Sequence, residues 1–220
     1  MVDASIRTKD LKRSIIARGK DLGAGRTHNM GGIYQFNSTK IQIPINKTNY
    51  TPTFTLLPNG TYSIGSSLPP SELYGTVIIP SSVNGIPVTS IEDLVFSYAT
   101  SITSIIIPSS VTSIGTAAFT GCSNLQSINI PNQITRIELN AFKNCSSLQS
   151  IILPPSVTFI GAGAFEGCSN LQSINFPSGL ITIDPRAFKN CSKLTGTLTI
   201  VNGLPSVASD AFNNTLVTIV

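Results

Sequence analysis

The apolar and polar positions of this chain recur on a fixed interval. In "LQSINIP" (125–131), Leu125, Ile128 and Ile130 fall on one side and Ser127 and Asn129 on the other. The last three apolar-polar steps have the period of two expected of a strand. Pro131 closes the strand, because proline has no N–H to give a ladder. "ITRI" (134–137) reads as a second short extended piece. "LNAFKNC" (139–145) reads as a turn or short helix that carries Ala141, Phe142 and Cys145 inward. This pattern returns every 23 positions. Pro108, Pro131, Pro154 and Pro177 keep the spacing, as do Ile114, Ile137, Ile160 and Ile183. So do Phe119, Phe142, Phe165 and Phe188; Cys122, Cys145, Cys168 and Cys191; and Leu125, Leu148, Leu171 and Leu194.

A second, longer interval lies over the first. "AFTGCSNLQSINIP" (118–131) returns 46 positions on as "AFEGCSNLQSINFP" (164–177), and Gly121, Asn144, Gly167 and Asn190 alternate in step with it. Upstream, "NGIPV" (84–88) inserts five residues. Downstream, one added residue near Gly196 shifts the match to Val207 and Phe212, and "LVTI" (216–219) is expected to repeat the Leu-x-x-Ile of "LQSI".

One such unit cannot bury its apolar side alone, whereas stacked units cover one another. Coils at the strand spacing of about 4.8 Å would make five or six turns into a rod section about 25–30 Å long. The fold class expected is mainly β with short helical turns, a solenoid of about 23-residue coils. "IPSSVTSIGTAAFTGCSNLQSI" (107–128) and its copies resemble the BspA-like branch of the leucine-rich repeats. "GTVIIPSSVNGIPVTSIEDLVFSYATSITSI" (75–105) resembles the longer entry repeat of that family. The resemblance covers residues 72–220. It implies a binding or scaffold protein rather than an enzyme, of the kind found on bacterial and protist surfaces and in large DNA viruses.

Residues 1–71 lie outside the resemblance and divide in two. Residues 1–32 form a basic arm ending in the Gly-rich hinge "GAGRTHNMGG" (23–32). "SIRTKDLKRSIIARGKDLG" (5–23) reads equally as a short helix or an extended arm, since Arg18 interrupts the face of Leu11, Ile15 and Leu22. Residues 33–71 form a small β capping segment: "IYQF" and "KIQIPI" read as short strands, and "TFTLLPNGTYSIG" (53–65) as a hairpin. Asn59-Gly60 there supplies the positive φ angles of a tight turn. The hairpin would cover the open edge of the first coil.

Charge changes the picture of the arm. The chain carries +4 overall, but residues 1–53 hold nine basic against three acidic side chains, +6, and the remainder −2. Arg7, Lys9, Lys12, Arg13, Arg18, Lys20 and Arg26 lie in the arm. Three readings of it stay open: a solvated tail, a docking arm that orders against protein partners, and a segment touching nucleic acid or an anionic membrane. It lacks the interleaved aromatics of a single-strand binder. No apolar run reaches the length of a membrane helix or a secretory signal, which implies a virion or cytoplasmic setting, with the cell surface as the alternative. Five Asn-x-Ser/Thr sequons, at Asn37, Asn46, Asn49, Asn59 and Asn213, read as a by-product of a chain rich in Asn, Ser and Thr.

The candidate chemistry is sparse. The 23-residue spacing of the four cysteines matches no metal signature. Equivalent places in successive coils make them a buried column, read as reduced, with a disulfide or a metal as alternatives. His28 lacks a nucleophile and an orienting acid, and Glu138, Glu166 and Asp184 are scattered on coil corners rather than paired. No cofactor is expected.

The outward positions of the strands carry more. Charged residues make up only 11% of the chain, against about 25% in a typical domain. Gln126, Gln149 and Gln172 fall in one column; Ser104, Ser127, Ser150 and Ser173 in a second; Ile106, Asn129, Ile152 and Asn175 in a third. This flat, uncharged face reads either as solvated surface or as a platform for a protein partner. Gln126, Asn129, Gln149, Ile152, Gln172 and Asn175 are the contact residues expected on it. The terminal strand "LVTIV" offers an edge for self-association. The expected role is an assembly protein, a minor capsid or cement component anchored by the arm; the alternative is a surface adhesin that binds host or matrix proteins through the face.

Overall fold

A computed structural model of the 220-residue chain describes residues 36–37, 40–42, 53–65, 73–199 and 205–220. The arm, His28 and the hinge lie outside the described residues. The strands begin with β1 (Phe36–Asn37), β2 (Lys40–Gln42), β3 (Thr53–Leu56), β4 (Tyr62–Gly65), β5 (Tyr74–Ile78), β6 (Ser82–Val83) and β7 (Ile86–Ile91). They continue with β8 (Ser101–Ile106), β9 (Ser113–Ile114), β10 (Ser127–Ile128), β11 (Arg136–Ile137), β12 (Ser150–Ile151) and β13 (Phe159–Ile160). Last come β14 (Ser173–Ile174), β15 (Thr182–Ile183), β16 (Thr195–Leu198), β17 (Ser206–Val207) and β18 (Leu216–Ile219).

Two rows of strands run up the stack. The front row is β5, β8, β10, β12, β14, β16 and β18; the back row is β4, β7, β9, β11, β13, β15 and β17. Pairs between coils are parallel and keep the sequence interval: Ser104 faces Ser127 and Ser150 faces Ser173. Where the sequence inserts five residues, Val77 faces Ile105, and the extra length folds as an antiparallel β6–β7 hairpin. Where it adds one, Thr182 faces Ser206. This is a β-solenoid of about six coils.

The turn segments contain no helix among the described residues. They are chains of tight turns, with Ala141 N–H to Glu138 O, Lys143 N–H to Asn140 O and Cys145 N–H to Phe142 O. Two places in each of the first five turns have positive φ, such as Asn140 and Asn144 or Gly163 and Gly167, and the last turn has one, Asn214. That backbone explains the alternating Gly and Asn, since these residues tolerate left-handed φ best. Phe96, Phe119, Phe142, Phe165, Phe188 and Phe212 stack in one column with ring centroids 5.0–5.4 Å apart. Ala141, Phe142 and Cys145 are buried as the pattern requires.

Two expectations need correction. In the 53–65 hairpin only Gly60 has positive φ. Gly60 N–H bonds to Leu57 O and Leu57 N–H to Thr61 O, a three-residue loop in which Pro58 and Asn59 make the turn. The second correction concerns "LVTI". Leu216 faces Thr195 and is 65% exposed, and Ile219 is exposed too. Between Phe212 and Leu216 the turn "NNT" is three residues shorter than "KNCSKL" between Phe188 and Thr195, so the strand arrives early and Leu216 misses the core place held by Leu194. The N-terminal strands β1 to β4 form an antiparallel run whose β4 pairs in parallel with β7, Ile64 facing Ile91.

Candidate functional site

The front row brings the predicted columns together. Gln126, Gln149 and Gln172 are exposed, and so are Ser127, Ser150 and Ser173 between them. None of the residues in the three columns carries a charge. Ile78, Ile106 and Ile152 stand out of the face, Ile152 at 78% exposure. Tyr74 and Ile78 on β5 extend the apolar part; the five-residue insertion hid their register in the sequence, where Ile78 lines up with Ile106 only after the gap is placed.

The two asparagines of the third column are engaged within the chain. Asn129 Oδ1 accepts from Ile107 N–H at 2.8 Å and its Nδ2 donates to Ile107 O at 2.7 Å. Asn175 holds Leu153 in the same way, at 2.8 Å for both bonds. Each side-chain amide stands in for one peptide group of the next rung. A ligand reaching these amides would have to compete with two hydrogen bonds, whereas Gln126, Gln149, Gln172 and Ile152 are exposed. A shallow groove of about 370 Å³ lies between Gln126–Ile130 and Ser150–Ile152. A second, of about 350 Å³, lies on the far side of Ile152 between Ile130, Leu153, Pro154 and Pro177. Ile152 is the ridge between them.

A feature missed in the sequence sits on the first turn. Leu94 and Tyr98 occupy the two left-handed places, at φ 61° and 58°. They are 59% and 64% exposed. Later coils use mostly Ala, Gly or Asn there. Bulky side chains at positive φ are strained, and aligning the turns would have shown both positions. Gly121 makes room for the Tyr98 ring, whose Cδ1 lies 2.6 Å from where a Cβ would stand.

The titratable groups are placed structurally. All four cysteines are free and buried. Their thiols donate to the carbonyls of Phe96, Phe119, Phe142 and Phe165 at 3.0–3.2 Å. Burial pushes the Cys122 thiol up to about 12 and those of Cys145 and Cys168 well above their ordinary value. A thiol held protonated is a poor nucleophile and metal ligand. Glu138 pairs with Arg136 at 2.8 Å and Glu166 with Lys143 at 3.0 Å, each with a cation rather than another carboxylate. Among the described residues no group of three or more His, Cys, Asp or Glu side chains is placed to hold a metal ion. No helix among them is long and apolar enough to cross a membrane.

Residues 89–218 match the BspA type leucine rich repeat region, in six copies. The chain belongs to that family. It is similar, at 34% identity and a TM-score of 0.59, to a leucine rich cell surface protein from Faecalibacterium prausnitzii. That likeness covers 65% of this chain and 36% of the other, so the chain spans about a third of that relative's length. It is also similar to the leucine rich repeat protein of T. pallidum, at 27% identity and a TM-score of 0.55, over 71% of this chain and 87% of that one. A leucine-rich repeat protein from Eubacterium ventriosum, at 22% identity and a TM-score of 0.55 over 79% and 51%, shares the fold. No curated protein matches the chain. Repeats of this architecture are scaffolds suited to protein–protein contact.

Proposed function

We propose that this protein is a surface-displayed binding module that holds host or matrix proteins through its uncharged front face. The observation that carries the reading is the face itself: an exposed, uncharged Gln and Ser array around the Ile152 ridge. A relative described as a cell surface protein supports the setting. A capsid or cement role finds no support among these relatives. The seven basic residues of the arm remain the natural anchor to a larger assembly or an anionic surface, and they act separately from the face.

Binding to an immobilised extracellular-matrix preparation tests this. An uncharged contact surface predicts binding that survives raised salt. Gln149→Lys and Ile152→Lys place unpaired charges in the contact and should abolish binding without unfolding the protein. Replacing Arg7, Lys9, Lys12, Arg13, Arg18, Lys20 and Arg26 by Ser should leave it intact. Salt-sensitive binding that depends on the arm and tolerates both face variants would transfer the role to the arm.

A further inference from the structure

The coils are not equally joined. Among the described residues, neither row is laddered between the coils of β9–β10 and of β11–β12: β9 pairs only with β7, β10 only with β8, β11 only with β13 and β12 only with β14. The bonds that flank the ladders elsewhere also stop here. Thr112 N–H bonds to Thr89 O, Gln126 N–H to Thr103 O, Thr158 N–H to Thr135 O and Gln172 N–H to Gln149 O. Thr135 and Gln149 make no such bonds back to Thr112 and Gln126 among the described residues. The junction between β14 and β16 also lacks a front ladder, but there Thr195 N–H bonds to Gln172 O and β13 pairs with β15 behind it.

The side chains fall on the same boundary. Asn129 clamps its coil to the preceding one and Asn175 does the same one module later. At the intervening junction the place is held by Ile152, which cannot reach Ile130 with two hydrogen bonds. Gly121 lies under Tyr98 and Gly167 under Asn144, so small and large residues interlock within the same pairs of coils. What crosses the boundary is the turn ladder, the bonds from Ser147 N–H and Ser146 Oγ to Ser123 O and from Thr120 Oγ1 to Asn140 O, the sulfur bond of Cys145 and the Phe119–Phe142 stack, all of them on the turn side of the coil rather than in the strand rows. That stack has the widest ring tilt in the column, 12°. The 46-residue repeat is thus a two-coil module, and the groove beside Ile152 is the opening between two modules.

We propose that the solenoid is jointed between these modules, and that the missing asparagine clamp at position 152 is what frees the joint. Motion there changes the curvature of the front face between Gln126 and Gln149 while each module moves as a unit. The inference rests on the contacts between coils and stands whether or not the face binds a protein.

Amide hydrogen exchange of the full chain tests it. Ala117, Phe119 and Gly121 N–H bond across the joint to Leu139, Ala141 and Lys143 O at 2.7–2.9 Å. Asn140, Phe142 and Asn144 N–H make the matching bonds inside the next module, at 2.7–3.0 Å. Static geometry makes these two sets equal. Opening at the joint makes the first set exchange about tenfold faster or more, the difference that loss of one or two net hydrogen bonds produces. Equal rates overturn the joint. Ile152→Asn supplies the absent clamp to Ile130 at an exposed site and should slow the first set toward the second. Fast exchange that this substitution leaves unchanged would keep the weak junction but overturn the clamp as its cause.

Discussion

Asn129 and Gln149 are both exposed amides on the front row, and they should behave oppositely when cut back to alanine. Asn129→Ala removes two hydrogen bonds, 2.7 and 2.8 Å long, from the backbone of Ile107. Ile107 is only 2% exposed. Its N–H and C=O would lose their partners together, and a buried unsatisfied polar group costs about 1–3 kcal/mol. Water can enter where the exposed amide stood and recover part of that loss. The net cost is therefore about 1.5–3 kcal/mol. Gln149→Ala removes an exposed side chain with no hydrogen bond to the described residues and should change stability by less than about 0.5 kcal/mol. Urea unfolding followed by circular dichroism resolves the difference, which corresponds to a midpoint shift of about 1 M at an m-value of about 2 kcal/mol/M. Asn129→Asp sharpens the test: a carboxylate can accept from Ile107 N–H but faces Ile107 O with no donor, so at neutral pH it should cost at least as much as alanine. If Asn129→Ala costs no more than Gln149→Ala, the amide is not a clamp, and the two-coil module loses its main support.

Two further outcomes follow from the core. Phe142→Ala should cost about 3–5 kcal/mol in the same unfolding assay, because its ring is buried between those of Phe119 and Phe165, each 5.3 Å away; a near-zero cost would remove it from the column. The thiols predict an alkaline weakness: the folded chain keeps the Cys122 proton to about 12, while the unfolded chain releases it at its ordinary 9.0. Stability from this raised group is therefore fully present below pH 9 and falls as pH rises from there toward 12, by up to about 1.4 kcal/mol per pH unit. Cys122→Ala should show a shallower fall over that window, and identical profiles for the two proteins would contradict the burial argument.

The face proposed for binding and the joint differ in how far the sequence announced them. Gln126, Gln149 and Gln172 were readable as a column because the period-two alternation of "LQSI" fixes which side chains leave the core. Asn129 and Asn175 fall in a neighbouring column by the same alternation, but the sequence does not show that their amides bond to Ile107 and Leu153. Their spacing shows that they recur, whereas the partner of each amide lies on another coil and depends on how far the chain rises per turn. Leu94 and Tyr98 escaped notice because apolar residues on a turn look like core until the backbone shows that both sit at positive φ.

The sequence by itself determined the coil length, the buried Ile, Phe, Cys and Leu columns, the five-residue insertion and the uncharged face. Each of these follows from local alternation and a repeat that can bury its apolar side only by stacking. Tertiary structure decided what depends on contacts between coils. It set the turn as a chain of tight turns rather than a helix, because left-handed residues in every turn interrupt any helical run. It turned Leu216 outward, because a turn three residues short brings the last strand in early. It also made the 46-residue period a mechanical unit, because an amide that reaches the neighbouring coil joins two rungs and an isoleucine in the same place cannot.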